Sequence, residues 1–170
     1  MITRPRIERR KKQHYVGIRM AVPIPFGKYL QPAWAEVYNW MKNDEIQPSG
    51  PAIIRYLTTD MSKELDIEVG FTVDKAVQGD GRIFADFLPA GKYATLLYTG
   101  PYRGKGIFKA TVALLDWAKE NKVKWNTTKK KGVEWWKGRA EFYFSDPAVE
   151  KDPTKFKTEL AFLVAETKPK

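Results

Sequence analysis

The chain carries the same order of sequence features twice, and this internal duplication constrains its fold more than any other property. The first copy opens with HYVGIRMAVPIPFGKYL and the second with AGKYATLLYTGPYRGKGI, each a strand pattern that leads into a loop rich in Gly and Pro. A helical pattern follows in each copy. The two helical patterns end alike, in NWMKND and DWAKEN, which makes Trp40 and Trp117 equivalent positions.

The segments after each helix also correspond. PAIIRYLTTD and RAEFYFSD are strands that end in an acid, so Asp60 matches Asp146, and the closing strands ELDIEVGFTV and KTELAFLVA make Glu68 match Glu159. Neither copy alone could cover its apolar face, so we expect the two to pair about a pseudo-twofold axis. The sequence therefore predicts an α+β fold, in which two strand-helix-strand-strand repeats form a mostly antiparallel sheet with two main helices.

The 170 residues fit a single domain. We place repeat one at about 5–76, a linker with the sequence DKAVQGDGR at about 74–82, and repeat two at about 83–166. Apolar residues recur at intervals of three and four in both predicted helices. These residues are Trp34, Val37, Tyr38 and Met41 in the first helix, and Ile107, Thr111, Leu114, Leu115 and Ala118 in the second. Pro32 is predicted to lie in the first turn of its helix.

Composition excludes several classes of function. With no Cys and only one His, the chain offers no disulfide framework, no thiolate nucleophile and little for a metal site or a serine triad, so we predict neither a metal nor a cofactor. No run of 18 apolar residues and no signal peptide is present, which predicts a cytoplasmic protein that does not cross a membrane.

The balance of 30 Lys and Arg against 20 Asp and Glu gives a net charge of +10, which raises the question of nucleic-acid binding. The excess lies at residues 4–12, at residues 119–131 and in the Lys-Pro-Lys tail. No zinc-finger spacing and no clear helix-turn-helix pattern accompanies it. We therefore interpret the basic runs as solvated loops and predict no specific nucleic-acid partner.

The stretch GRAEFYFSDP places one acid, Glu141, among aromatic residues. Side chains alternate across a strand, so Ala140, Phe142 and Phe144 share one face while Glu141 and Tyr143 share the other with Ser145. The apolar set is interpreted as the core face. The second face meets water or lines a cavity, and the strand pattern alone leaves both possibilities open.

Several of these elements together resemble a known family. The run LPAGKYATLLYTGPYRG, the helix with LLDWAKEN, and then EFYFSDP and DPTKFKTELAFLV are similar to the GyrI-like small-molecule-binding domain, which is also the effector-binding part of bacterial multidrug-responsive regulators. The resemblance extends from about Pro5 to Val164. It implies a concave pocket for lipophilic, often cationic, compounds, with a glutamate facing the ligand. The position that matches this glutamate is Glu141, with Tyr143 on the same face.

Aromatic rings around such a carboxylate attract a cation through their negative faces without demanding one ligand shape. The candidate ligand contacts, in addition to Glu141, are Tyr143, Tyr98, Tyr102, Tyr29, Trp34, Trp135 and Trp136. Trp40 and Trp117 are interpreted as core residues. Glu141 has a structural alternative, an ion pair with Lys137, with Arg139, or with Arg55, which we take as its equivalent in the first repeat.

Three functions from different classes follow from the resemblance. The first, which we favour, is a free-standing domain that senses or sequesters lipophilic, cationic compounds and is not an enzyme. The second is a hydrolase of strained cyclopropane-containing natural products, with Glu141 and Tyr143 or Tyr98 as its catalytic set. In that branch we expect a histidine before the glutamate, where this chain has Ala140. The third is a protein-binding module with gyrase as its partner.

Overall fold

A computed structural model describes residues 1–60 and 62–166 of the chain. The Lys-Pro-Lys tail lies outside these residues. The helices and strands are β1 Arg6–Arg10, β2 Gln13–Val22, α1 Gly27–Asn43, β3 Ala52–Tyr56, β4 Leu65–Val73, β5 Phe84–Leu88, β6 Gly91–Thr99, α2 Gly106–Glu120, β7 Thr127–Lys130, β8 Val133–Trp136, β9 Arg139–Tyr143 and β10 Lys157–Leu163, with a short 3₁₀ turn at Pro153–Lys155.

Eight of the strands form one sheet in the order β1-β6-β10-β9-β3-β4-β2-β5, and β7 and β8 form a separate hairpin. Each strand pair in this sheet is antiparallel. With two helices beside the sheet, this is the predicted α+β class. Within the sheet, β6-β10-β9 of the second repeat mirrors β2-β4-β3 of the first, and the two repeats meet where β9 pairs with β3.

The two helices show the duplication most clearly. Both end with the same hydrogen bond, in which the backbone N–H after the last helical residue donates to the carbonyl of Trp40 in α1 and of Trp117 in α2. Their buried positions also correspond with a constant offset along the chain. These positions are Ala33, Val37 and Met41 in α1 and Ala110, Leu114 and Ala118 in α2. The predicted equivalence of the two tryptophans is confirmed, and both pack against buried clusters.

Each repeat begins with a strand that the sequence pattern did not suggest. β1 precedes β2 in the chain but pairs with β6 of the second repeat, and β5 precedes β6 but pairs with β2 of the first. The repeats thus exchange their leading strands, one at each edge of the sheet. The second repeat also carries the β7–β8 hairpin between its helix and β9.

The exchanged strands force the sheet to curl. β1 and β2 are six strand spacings apart in the sheet, which is about 29 Å in a flat sheet. Only Lys11 and Lys12 connect them, and three peptide steps span at most about 11 Å. The same argument holds for β5 and β6, which are joined by Pro89 and Ala90. The sheet must therefore bend into a half-barrel with both helices on one face.

The curl gives the sheet two buried faces. The inner face holds one apolar cluster, which includes Phe142 and Ala140 of β9. The helix face holds Ile54 and Tyr56 beside α1, and Leu160 and Phe162 beside α2. Side chains on both faces of the central strands are consequently shielded from water.

Two local expectations were wrong. Helix α1 begins at Gly27, so Pro32 lies inside the helix rather than in its first turn. Strand β9 ends at Tyr143, and the side chain of Phe144 beyond it is 53% exposed instead of joining the core face. The alternation itself holds from Ala140 to Tyr143.

Candidate functional site between the two helices

The two central strands, β3 and β9, form the floor of a furrow on the helix face of the sheet, with one helix on each side. Helix α1 packs on β2 and β4, and helix α2 packs on β6 and β10. Strands β3 and β9 run between these two packed layers. Because Glu141 and Tyr143 are on the helix face of β9, they point into this furrow.

Glu141 is 5% exposed, and two phenols hold its carboxylate. The hydroxyl of Tyr143 donates to Oε1 at 2.5 Å, and the hydroxyl of Tyr56 donates to the same oxygen at 2.9 Å. Tyr56 belongs to β3 in the first repeat, whereas Tyr143 belongs to β9 in the second. Both hydrogen bonds go to Oε1, which leaves Oε2 for another donor.

Burial dominates the electrostatics of this group. Removal from water raises the pKa of Glu141, while the hydrogen bonds from Tyr143 and Tyr56 and the charge of Arg139 act in the opposite direction. Burial also raises the pKa of Tyr56 and of Tyr143, and the nearby carboxylate adds to the effect. Both phenols therefore stay protonated at neutral pH and remain donors.

The strand register contradicts the expected equivalence of Glu141 and Arg55 in the two repeats. Glu68 is paired with Arg55 between β4 and β3, and Glu159 is paired with Phe142 between β10 and β9. If Glu68 and Glu159 are equivalent, then Arg55 corresponds to Phe142. The interpretation of Arg55 as the equivalent of Glu141 was wrong, because Arg55 lies on the inner face of the sheet.

One residue along, the same register makes Ile54 the equivalent of Glu141. These two residues are also directly paired between β3 and β9, so the pseudo-twofold axis passes between them. Tyr56 and Tyr143 are then equivalent residues on either side of the axis. A single acid on the axis thus accepts hydrogen bonds from the same tyrosine of both repeats.

An aromatic wall continues from Tyr143 toward one end of the furrow. The ring of Trp34 meets the ring of Tyr143 edge-on at 5.3 Å between centroids, and the ring of Tyr102 does so at 5.2 Å. Phe156 stacks on Tyr102 at 4.6 Å. Trp34 is fixed by a hydrogen bond from Nε1 to the carbonyl of Gly70. Three of the residues predicted as ligand contacts therefore form one aromatic cluster, which touches Glu141 through the hydroxyl of Tyr143.

A buried guanidinium occupies the other end of the furrow. Arg139 is 9% exposed and lies two residues before Glu141 on the same face of β9. Its Cζ is 4.3 Å from the ring centroid of Phe162, 4.6 Å from that of Trp136 and 5.6 Å from that of Tyr56. Burial lowers the pKa of Arg139.

The remaining predicted contacts lie elsewhere. Tyr98 is buried against α2 and donates to the carbonyl of Pro101, and a Cβ on Gly106 would come within 1.9 Å of its hydroxyl. Tyr29 is 36% exposed on α1, with the Lys28 ammonium over its ring.

The two tryptophans of β8 point in different directions. Trp135 lies next to Arg19, which belongs to the inner face, whereas Trp136 is buried beside Arg139 and donates from Nε1 to Thr59 Oγ1. Among residues 1–60 and 62–166, Trp136 reaches the furrow through its contact with Arg139. Trp135, Tyr29 and Tyr98 have no recorded contact with Glu141 among the described residues.

Sequence reasoning missed two contributors to the furrow. Tyr56 was identifiable in principle, because PAIIRYLTTD carries a tyrosine shortly before its final acid, as RAEFYFSD does with Tyr143. Arg139 was considered only as an ion-pair partner of Glu141. Its enclosure by three rings depends on the β7–β8 hairpin, whose position no local pattern predicts.

A second polar network lies on the inner face, away from the furrow. The Tyr15 hydroxyl donates to Glu68 Oε1 at 2.5 Å, and Arg55 donates to the same hydroxyl at 2.8 Å. A cleft of about 350 Å³ opens at the end of the half-barrel where Arg10 binds Glu159. Its lining residues do not include Glu141. In the described part of the chain, no helix is long and apolar enough to cross a membrane.

These features define a class of protein, a small-molecule-binding domain built from two fused α+β repeats. The chain belongs to the family of the GyrI-like small molecule binding domain, which it matches over residues 3–165. No curated protein matches the chain.

Solved structures share this fold. The C-terminal domain of EcmrR is 18% identical, with a TM-score of 0.75 over 96% of this chain and 98% of that one. EcmrR in a complex with DNA gives a TM-score of 0.78 at 19% identity, over 96% of this chain and 58% of that one. SAV2435 bound to tetraphenylphosphonium is 13% identical, with a TM-score of 0.59 over 96% of this chain and 94% of that one. A hydrolase from Listeria innocua is also 13% identical, with a TM-score of 0.56 over 95% of this chain and 91% of that one.

Proposed function

We propose that the chain binds lipophilic organic cations in the furrow between α1 and α2, with Glu141 as the counter-charge. The observation that carries this proposal is the setting of Glu141. Its carboxylate is buried, and its recorded hydrogen-bond donors among residues 1–60 and 62–166 are phenols rather than an ammonium or guanidinium group. A buried carboxylate that no cationic group contacts directly within the described residues is a ready site for a cation from outside.

The energetics favour a ligand that is both cationic and apolar. A carboxylate loses hydration when it is buried, and only a partner charge or hydrogen bonds offset that loss. The two phenols offset part of it. A cation against Oε2 would offset more, and the rings of Trp34, Tyr102 and Tyr143 would add roughly 0.5 to 2 kcal/mol each, depending on desolvation.

Two further observations support this assignment. The family of this chain is defined by small-molecule binding, and the structural neighbour SAV2435 binds tetraphenylphosphonium, a lipophilic cation with four aromatic rings. The aromatic wall beside Glu141 has the chemistry that such a cation requires. Tetraphenylphosphonium is therefore the first probe to use.

The test is the variant Glu141→Gln, which keeps the shape of the side chain and its hydrogen-bond acceptor but removes the charge. We expect tetraphenylphosphonium to bind about tenfold to a hundredfold more weakly, because charge-assisted contacts are worth roughly 1.5 to 3 kcal/mol. Triphenylphosphine oxide, a neutral compound with similar rings, should change much less. Calorimetry or tryptophan fluorescence measures both ligands.

Glu159→Gln is the matched control, because Glu159 is bound to Arg10 on the inner face and lies outside the furrow. It should leave both affinities unchanged. Equal losses for the cation and the neutral compound in Glu141→Gln would show that the substitution only disturbed the furrow. No loss for either compound would place Glu141 outside the binding site.

The hydrolase alternative receives less support from the geometry. Both phenols donate to Glu141 Oε1, so this oxygen already accepts two hydrogen bonds and Oε2 alone is left to take a proton from water. The position before Glu141 is Ala140, which faces the inner cluster on the other side of the sheet. Product analysis with a cyclopropane-containing substrate tests this function, and turnover that disappears in Glu141→Gln would establish it.

A further inference from the structure

Arg139 is a second charged group in the furrow, and the binding of a cation to Glu141 does not involve it. Along β9, Arg139, Glu141 and Tyr143 form one row on the helix face, and the Cα atoms of the two charged residues are about 6.6 to 6.8 Å apart by strand geometry. Tyr56 links the two groups, because its hydroxyl binds Glu141 while its ring lies beside the guanidinium.

The surroundings of Arg139 supply attraction but few acceptors. A guanidinium has five N–H donors, and aromatic faces attract its charge without accepting most of these hydrogens. Its Nε is buried and has no hydrogen-bond partner among residues 1–60 and 62–166. No ion pair is recorded for Arg139 within these residues either.

Arg55, the other buried arginine of the central strands, is a useful contrast. Its Nε also lacks a partner, but its terminal nitrogens donate to the Tyr15 hydroxyl and to the carbonyls of Phe87 and Lys137. The fold therefore provides acceptors for one of the two guanidinium groups. No corresponding bonds of Arg139 are recorded in the described part of the chain.

We propose that the furrow selects lipophilic zwitterions, compounds whose cationic centre binds Glu141 and whose carboxylate or similar acceptor binds Arg139. This inference rests on the proposed function, since it takes Glu141 as the cation site and adds the group beside it. The apolar body of the ligand then lies against the wall formed by Tyr143, Trp34 and Tyr102. A planar guanidinium suits a carboxylate, which it can bind through two parallel hydrogen bonds.

The test uses two probes that differ in one group. (4-Carboxybutyl)triphenylphosphonium is a zwitterion at neutral pH, and its methyl ester is a cation with the same rings and chain. We expect the wild-type protein to bind the zwitterion at least as tightly as the ester. Arg139→Met should weaken the zwitterion about tenfold to a hundredfold and change the ester less than threefold, because only the zwitterion contacts residue 139.

Arg139→Lys is the second variant, since it keeps the charge in case the methionine variant fails to fold. It should weaken the zwitterion by an intermediate factor, because an ammonium group cannot form the paired hydrogen bonds. Thermal melting and the ester affinity confirm that each variant retains its furrow.

The outcomes separate this inference from the proposed function. If the affinity ratio of zwitterion to ester is the same in the wild type and in Arg139→Lys, Arg139 only neutralises the furrow and the inference is wrong, while cation binding stands. If the ester binds Glu141→Gln as tightly as it binds the wild type, the proposed function itself is wrong. A ratio that falls in both Arg139 variants, with ester binding kept, supports the inference.

Discussion

Glu141→Gln should change the stability of the empty protein in a way that depends on pH. Burial raises the pKa of Glu141 above its ordinary value of 4.5. A carboxyl group with a raised pKa contributes stability that is fully present below about pH 4.5 and is lost as the pH rises through its folded-state pKa. Glutamine does not titrate. The variant should therefore gain stability relative to the wild type as the pH increases from 4.5 to 8.

The size of this gain is bounded. A single proton changes the free energy of unfolding by at most about 1.36 kcal/mol per pH unit. For a chain of this length, 1 kcal/mol corresponds to about 2 to 4 °C in Tm. The difference in Tm between variant and wild type should thus grow by at most about 3 to 5 °C per pH unit within the window. It should then level off above the folded-state pKa.

Differential scanning calorimetry of both proteins from pH 4.5 to 8 measures this difference. Glu36→Gln is a control in which the pKa shift has the other direction, because the hydrogen bond from Arg82 lowers the pKa of Glu36. Its contribution to stability is lost only as the pH falls below about 4.5. It is also small because the pair is exposed, so the difference between Glu36→Gln and the wild type should stay nearly constant from pH 4.5 to 8. Saturating tetraphenylphosphonium should stabilise the wild type most at high pH, where Glu141 is ionised.

A difference between Glu141→Gln and the wild type that does not vary with pH would refute this reasoning. It would mean that the phenols and Arg139 compensate the carboxylate fully in the folded state. A difference of the opposite sign would mean that they overcompensate it, and the empty furrow would then have no need of a cation.

Two further predictions concern the symmetry of the furrow and the charge of the chain. The double variant Ile54→Glu/Glu141→Ile moves the acid across the pseudo-twofold axis and keeps it between the same two tyrosines. Titration should show that this variant binds tetraphenylphosphonium more tightly than Glu141→Ile alone. An affinity equal to that of Glu141→Ile would contradict the assignment of the axis. DNA should bind only weakly and without sequence preference, and binding should collapse between 50 and 200 mM salt in an anisotropy assay, as expected for phosphate contacts alone. A tight, sequence-selective complex at physiological salt would contradict this second prediction.

Local pattern was enough to predict the duplicated core of the fold. The helical spacing identified Val37 and Leu114, and the matching helix ends identified Trp40 and Trp117. These features arise from contacts within one element or between neighbours in sequence, which alternation and helical periodicity record directly.

The exchanged strands could not be predicted in the same way. β1, with the sequence RIERR, and β5, with the sequence FADFL, are short and partly exposed, and their partners are far away in the chain. Arg6, for example, pairs with Thr95. These strands curl the sheet, and the curl buries both faces of β9. The alternation of apolar and polar residues predicts one buried and one exposed face, so it could not predict this burial.

The position of Glu141 on the pseudo-twofold axis explains why a single acid serves the two equivalent tyrosines, Tyr56 and Tyr143. Its equivalent, Ile54, lies directly opposite it, and paired side chains have Cβ atoms about 4.5 to 5.5 Å apart. A second acid at Ile54 would place two carboxylates side by side in a buried setting, which is strongly unfavourable unless one of them is protonated. Arg139 differs from its own equivalent, Ala52, in the same way. The duplication thus supplies a symmetric frame of two tyrosines, and single substitutions at the axis and beside it give that frame its charge.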